Sequence, residues 1–227
     1  MNKYSKFRDI NAVLEKVEKS LAEIESKYRD SLQEKIISDE LLVEVKDFLG
    51  NIKSSLDYLR KKVSKHNFPV CETEKDFNNR TTDLSPEIKK VIFKWQPFQG
   101  NEWLSWLNVL NNESKHVTLI PQERIETKQV KISKGKTGIS MSGGASIPMG
   151  KGCSISIGGA VIPGGQTISP DSDFFHDKRL SVEKTTWVDF RFNHEKLPKN
   201  ISVLNFLKES FKKTRLIVKE LEILIDN

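Results

Sequence analysis

The segment "LNVLNNESKHVTL" (107–119) gathers three asparagines, a serine, a lysine and a histidine within a few residues. On a helix advancing about 100° per residue, Ser105, Asn108, Asn112 and His116 fall along one side, the last three stacked at four-residue intervals. Asn111 and Lys115 flank that row. Amide and imidazole groups stacked in this way can hydrogen-bond phosphate oxygens. A histidine near its ordinary pKa of about 6.5 can also give or take a proton at neutral pH. The same spacing equally suits the wet side of a helix, because Trp103, Trp106, Leu107, Leu110, Ser114 and Val117 gather elsewhere as a core face.

Helices must position these groups. Phe7, Ile10, Leu14, Val17, Leu21, Ile24 and Tyr28 alternate spacings of three and four, the seam of one long helix. Ser38-Asp39-Glu40 supplies an N-cap and an acidic first turn for a second helix, along which Leu42, Val45, Leu49, Ile52, Leu56, Leu59 and Val63 repeat the pattern. The two are expected to form an antiparallel hairpin. Pro69 and the Asn78-Asn79 pair mark the following stretch as a loop, and Ser85-Pro86 then reads as an N-cap with proline at the first helical position. Asn101-Glu102 opens the helix that carries the polar row.

From Ile120-Pro121 the period changes to two. Short alternating stretches separated by Gly-Gly and Pro-Gly predict a small antiparallel sheet, which also absorbs the glycine-rich run from Gly138 to Gly165. After Pro198-Lys199-Asn200 a last helix offers Val203, Leu204, Leu207, Phe211, Ile217, Leu221 and Leu224 for packing. The expected class is α+β, with an N-terminal helical bundle over 1–118, a β-rich insert over 119–195 and a C-terminal helix over 196–227 that packs back on the bundle.

A chain of 227 residues that is 37% hydrophobic and 30% charged can bury a proper core. No apolar run approaches the roughly 20 residues that span a bilayer, and the first residues alternate charged with apolar side chains, so the expectation is a cytoplasmic protein with no membrane association. The net charge of +6 permits a polyanionic partner. Its densest groups, Arg60-Lys61-Lys62 with Lys65, and Lys208, Lys212, Lys213, Arg215 and Lys219, read as solvated helix faces. Cys71 and Cys153 suggest neither a disulfide nor a thiolate metal site.

Cofactor motifs fail on spacing. A phosphate loop ending in Gly135-Lys136-Thr137 would need glycine at Val130; one ending in Gly150-Lys151 would need glycine at Ala145 and a hydroxyl residue at Gly152. His66, His176 and His194 lack ligand spacing that argues for a metal, although Asp173 and Asp177 flank His176. Neither a metal nor a cofactor is expected.

The segments "FLGNIKSSLDYL", "NFPVCETEKDF", "LSPEIKKVIFKWQPFQ", "LSWLNVLNNESKHVTL" and "VDFRFNHEKLPKNISVLNFLKESFKKTRLIV", in that order from about Phe48 to Val218, resemble a widespread group of uncharacterised bacterial proteins with an "LNNxxKH" helix. More distantly, the helical plan resembles HEPN domains of bacterial toxins and phage-defence proteins. Their ribonuclease members carry Arg-polar-x-x-x-His on a late helix and pair as homodimers. Asn111-Asn112-Glu113-Ser114-Lys115-His116 matches that frame at its polar second position and at the histidine, and departs from it at the first, where Asn111 stands in place of arginine.

The resemblance implies an RNA substrate and metal-independent endoribonuclease chemistry. His116 would be the general acid or base, Asn112 would orient phosphate, and Asn111 or Lys115 would stabilise charge. Asn108, Lys53 and Asp57 would stand at the substrate, with Lys53 a second source of positive charge and Tyr58 beside Asp57. An asparagine cannot supply the charge of arginine, and a lysine gives a point charge without arginine's bidentate fork. A second reading is therefore a catalytically inactive HEPN-like interaction or ligand-binding module, with a protein partner engaged through the β-rich insert.

Overall fold

The apolar stripe near the N-terminus folds, in the computed structural model, as α1 (Arg8–Glu34). The structure describes residues 7–34, 36–116, 119–134, 137–142, 147–152, 154–157, 160–165, 167–168 and 181–226. The chain is mixed α+β and divides into two units, one comprising Met1–Glu123 with Phe190–Asn227, the other Arg124–Asp189.

In the first unit, α1 packs on α2 (Asp39–Lys61). Phe7, Ile10, Val17, Ile24 and Tyr28 of the stripe are buried, as are Leu41, Phe48, Leu49, Ile52, Leu56 and Leu59 from the second helix. Each fully buried side chain of this size contributes about 1.5–3 kcal/mol of hydrophobic stabilisation. Ser38 caps α2, its Oγ accepting from the Leu41 amide at 3.2 Å. The short connection between Glu34 and Asp39 sets the antiparallel sense and ion pairs agree with it: Lys27, late in α1, pairs with Glu40 and Glu44 early in α2, while Asp9 at the start of α1 lies 3.7 Å from Lys62 just beyond the end of α2. The hydrogen bonds to Glu40 and then Glu44 hold the Lys27 ammonium above the usual lysine range.

The stretch expected as a loop contains a helix, α3 (Glu74–Arg80), with Asn78 and Asn79 inside it. Thr73 starts it, its hydroxyl accepting from the Asp76 amide at 3.2 Å, and Glu74 and Asp76 supply an acidic first turn. Residues before it are held by side chains: buried Gln96 accepts from the Cys71 amide at 3.0 Å and donates to the Pro69 carbonyl at 3.1 Å. α4 (Pro86–Lys94) has Ser85 as its cap and proline in its first turn. A 3-10 turn (Pro97–Gln99) follows and is closed by Gly100 at φ 81, a left-handed conformation that favours glycine.

α5 (Glu102–His116) and α6 (Val203–Asp226) complete the helical unit, and α6 packs on α1, α2, α4 and α5. Lys208, Lys212, Arg215 and Lys219 are on its exposed surface, with Lys208 at 3.0 Å from Glu25 and Arg215 at 3.3 Å from Glu18.

Arg60 overturns the expectation of a solvated basic face, for it is 0% exposed. Its guanidinium donates to Asp83 at 2.6 Å and to the Arg80 carbonyl at 3.4 Å, so the turn after α3 is drawn onto the end of α2. The reason is local: a cation near a helix C-terminus meets favourable dipole ends, and burial becomes tolerable once a carboxylate faces it. Burial pushes the Asp83 carboxyl upward, but hydrogen bonds from Arg60 and Ser64 outweigh it and leave the group below its ordinary value.

The second unit is built from strands, here given by the full ranges of β1 (Gln122–Lys134), β2 (Thr137–Ser142), β3 (Ile147–Pro148), β4 (Ser154–Ile157), β5 (Ala160–Pro163), β6 (Thr167–Ile168) and β7 (Ser181–Phe192). They form a three-stranded sheet of order β2-β1-β7 and two-stranded ladders β3-β6 and β4-β5. Ile132 stands opposite Ile139 and Ile155 opposite Ile162, both pairs antiparallel. Val117, Cys153 and His176, named in the sequence analysis, lie outside the described residues. Among the described residues, no helix is long and apolar enough to cross a membrane.

The Arg60–Asp83 pair has a defined pH signature. Because the folded-state pKa of Asp83 is depressed, its stabilisation is complete above the unfolded aspartate pKa near 4 and is lost as pH falls through the folded value. Asp83→Asn is expected to lower stability by about 1–3 kcal/mol at pH 7, with the difference from the parent protein shrinking below pH 4; thermal unfolding from pH 3 to 8 measures it.

Candidate functional site

The polar row lies on α5, whose entry angle is set by Asn101 donating to the Lys94 carbonyl at 2.7 Å. Trp103, Leu104, Leu107 and Leu110 are buried, and the helix packs on α2 and α6. The outer row is divided by this packing. Ser105 donates to Glu72 at 2.6 Å, Asn108 is half-buried and Asn112 is exposed. His116 is the last residue of α5, and its side chain lies outside what the structure describes.

Asn111 departs from its expected flanking position. It is 3% exposed, and among the described residues its amide makes no hydrogen bond to protein. Its polar atoms are not among the buried unpartnered side-chain atoms, so the amide reaches solvent at the edge of a cavity, where it can hydrogen-bond water or a ligand. Asn111, Ser114 and Lys115 form one wall of a cavity of about 310 Å3. Lys16 of α1 lies on its rim, and α2 contributes Lys46, Asp47, Gly50, Asn51 and Ser54. Ser114 has a local role, donating to the Leu110 carbonyl at 2.7 Å.

The charges in this cleft are unspent. Lys16, Lys46 and Lys115 make no ion pair among the described residues, whereas Lys27, Lys53, Lys62, Lys94 and Lys208 each have a carboxylate partner. Asp47 is the one carboxylate among the described lining residues. Three cationic groups against one anionic group, with asparagine and serine donors between them, make a site suited to phosphate.

Lys53 and Asp57 are not part of it. Lys53 is 8% exposed and donates to Asp57 at 2.5 Å, and the same carboxylate accepts from the Phe68 amide at 2.9 Å. This pair anchors the segment after α2, and its charges neutralise each other. Tyr58 is 43% exposed, while Asp57, expected to stand at the substrate, is engaged by Lys53 and the Phe68 amide. Neither Asn108 nor Asn112 lines the cleft.

Sequence reasoning missed Lys16, Lys46, Asp47, Asn51 and Ser54. The signal was Lys46, Gly50 and Ser54 at four-residue intervals, a narrow non-apolar strip on a helix whose neighbouring strips are core. Glycine inside a helix is a stability loss of about 0.5–1 kcal/mol relative to alanine. Sterics do not require it here: a Cβ at Gly50 would lie 3.8 Å from Asn111 Oδ1, an ordinary contact. Glycine widens the cleft. Burial also pushes the Cys71 thiol up from its ordinary value, which disfavours thiolate chemistry there. Among the described residues, no three His, Cys, Asp or Glu side chains are grouped so as to hold a metal ion.

Gly50→Ala should therefore raise unfolding stability by about 0.5–1 kcal/mol while weakening any ligand of the cleft, as read by chemical denaturation and by binding on the same preparation. Asn111→Leu is expected to leave the thermal midpoint close to that of the parent protein, because no protein hydrogen bond is lost with the amide.

No protein-family model matches the chain, and no curated protein or solved structure matches it.

Proposed function

We propose that this chain is a HEPN-like protein of bacterial defence or toxin type that acts on RNA in the cytoplasm, holding RNA phosphate in the cleft between α1, α2 and α5. The carrying observation is that Lys16, Lys46 and Lys115, none of them in an ion pair among the described residues, line one cavity with Asn111. The antiparallel α1–α2 hairpin backed by α5 and α6 supports the HEPN-like reading of the helical unit.

The chemistry this reading assigns is metal-independent endoribonucleolytic cleavage. The RNA 2′-hydroxyl loses its proton and attacks the adjacent phosphorus while the bond to the 5′-oxygen breaks. That oxygen leaves protonated, giving a 2′,3′-cyclic phosphate and a 5′-hydroxyl. His116, next in sequence to Lys115, is the acid or base, and a homodimer would supply a second copy. Asn111 and Lys115 take the phosphate contacts first assigned to Asn112 and Asn108. One observation favours the inactive-module reading: the buried residue in the place of arginine is a neutral amide.

Incubating the protein with a mixed RNA pool in EDTA separates the two. Cleavage that leaves 2′,3′-cyclic ends, falls at least a hundredfold in His116→Ala and falls in Lys46→Glu supports the enzyme. RNA binding lost in Lys46→Glu, without cleavage by the parent protein, supports the inactive module. No binding and no cleavage overturns the RNA reading.

A further inference from the structure

We infer that the cleft is built for a phosphate monoester, the terminal phosphate of a nucleotide or of an RNA end, and not for an internal phosphodiester. The inference deepens the inactive-module form of the RNA reading, in which the cleft grips a nucleotide or an RNA end without cutting an internal bond, and it rests on that reading for the identity of the larger ligand.

Charge carries the first step. Lys16, Lys46 and Lys115 bring three positive charges and Asp47 one negative, a local balance of two positive charges with no protein counter-ion among the described residues. A terminal phosphate with its second pKa near 6 is close to a dianion at neutral pH, whereas each internal phosphodiester carries a single charge. The monoester matches the cleft; one diester leaves it half-neutralised.

Size and the placement of Asp47 carry the second. A cavity of about 310 Å3 is at the small end of small-molecule sites, room for about one nucleotide unit. A strand passing through would bring further phosphates beside Asp47, where like charges repel. A single nucleotide bound by its terminal phosphate presents ribose hydroxyls instead, and a carboxylate accepts their hydrogen bonds. The Asn111 amide and the Asn51 and Ser54 side chains supply uncharged donors for the phosphate oxygens, and glycine at position 50 leaves the floor open to them.

The test is calorimetric titration of the full chain with 5′-AMP, 3′-AMP, the dinucleotide ApA, adenosine and inorganic phosphate. Either AMP should bind at least tenfold more tightly than ApA, and adenosine should not bind. Lys46→Gln and Lys115→Gln should each weaken AMP about tenfold, with Lys212→Gln on the exposed face of α6 unchanged. Preference for one AMP isomer identifies which RNA end is held. Inorganic phosphate binding as well as AMP still supports a dianion site, read at the phosphate alone.

ApA binding as tightly as AMP overturns the inference. So does AMP failing to bind while the RNA pool is still bound or cleaved, and that outcome leaves the RNA reading standing. Failure of every ligand together with failure of RNA binding overturns both.

Discussion

Helix α2 is packed against α1, α5 and α6, and the arrangement of the helical unit follows from covering it. A helix enclosed by several neighbours cannot keep the single polar face of a surface helix. Apolar residues fill most of its buried surface, and polar groups caught among them find partners close by, though Arg60 Nε and Nη1 and Glu44 Oε2 stay without one. Ser55 donates to the Asn51 carbonyl at 2.9 Å, Lys53 meets Asp57, and Arg60 meets Asp83. Between the positions covered by α1 and by α5 runs the strip of Lys46, Gly50 and Ser54, which neither neighbour fills. The cleft is the part of α2 left uncovered.

The helices were legible because their causes are local. Spacing of three and four placed α1 and α2, the Ser38 and Ser85 hydroxyls marked two starts, and the turn to a period of two marked the strands. α3 was obscured because its asparagine pair resembles loop composition, although Thr73 followed by an acidic turn is a start signal of the same kind as the others. The site was less legible. Helical periodicity says which residues share a face, not which neighbour that face will meet. Asn111 and Lys115 stand out in the sequence as polar groups near a helix end, but the α1 and α2 residues that line the cavity with them lie far away in sequence. The stacked row of Asn108 and Asn112 was the conspicuous pattern, and packing turned it away from the cleft.

Arg60 was misplaced for a related reason. Three consecutive basic residues look alike in sequence, yet successive positions on a helix point about 100° apart, so one of them can face inward while its neighbours stay wet. Lys61 and Lys62 are exposed, and Arg60 is enclosed. Together with Gln96 and Asp57, it secures the irregular stretch between α2 and α4. Chain that lacks repeating backbone hydrogen bonds is held there by three side chains reaching from helices or just past their ends.

In the helical unit, the backbone amide of Asn193 donates to the Pro121 carbonyl at 2.9 Å, and these two residues flank the points where the chain leaves for the strand-rich unit and returns from it. The entry and exit are thus tied at one spot. For the helices, everything between those residues is a loop already closed, and loop-closure entropy grows only with the logarithm of loop length. Lengthening, shortening or replacing the strand-rich segment would change that entropy little, so the strands could diversify through evolution while the packing around α2 stayed the same.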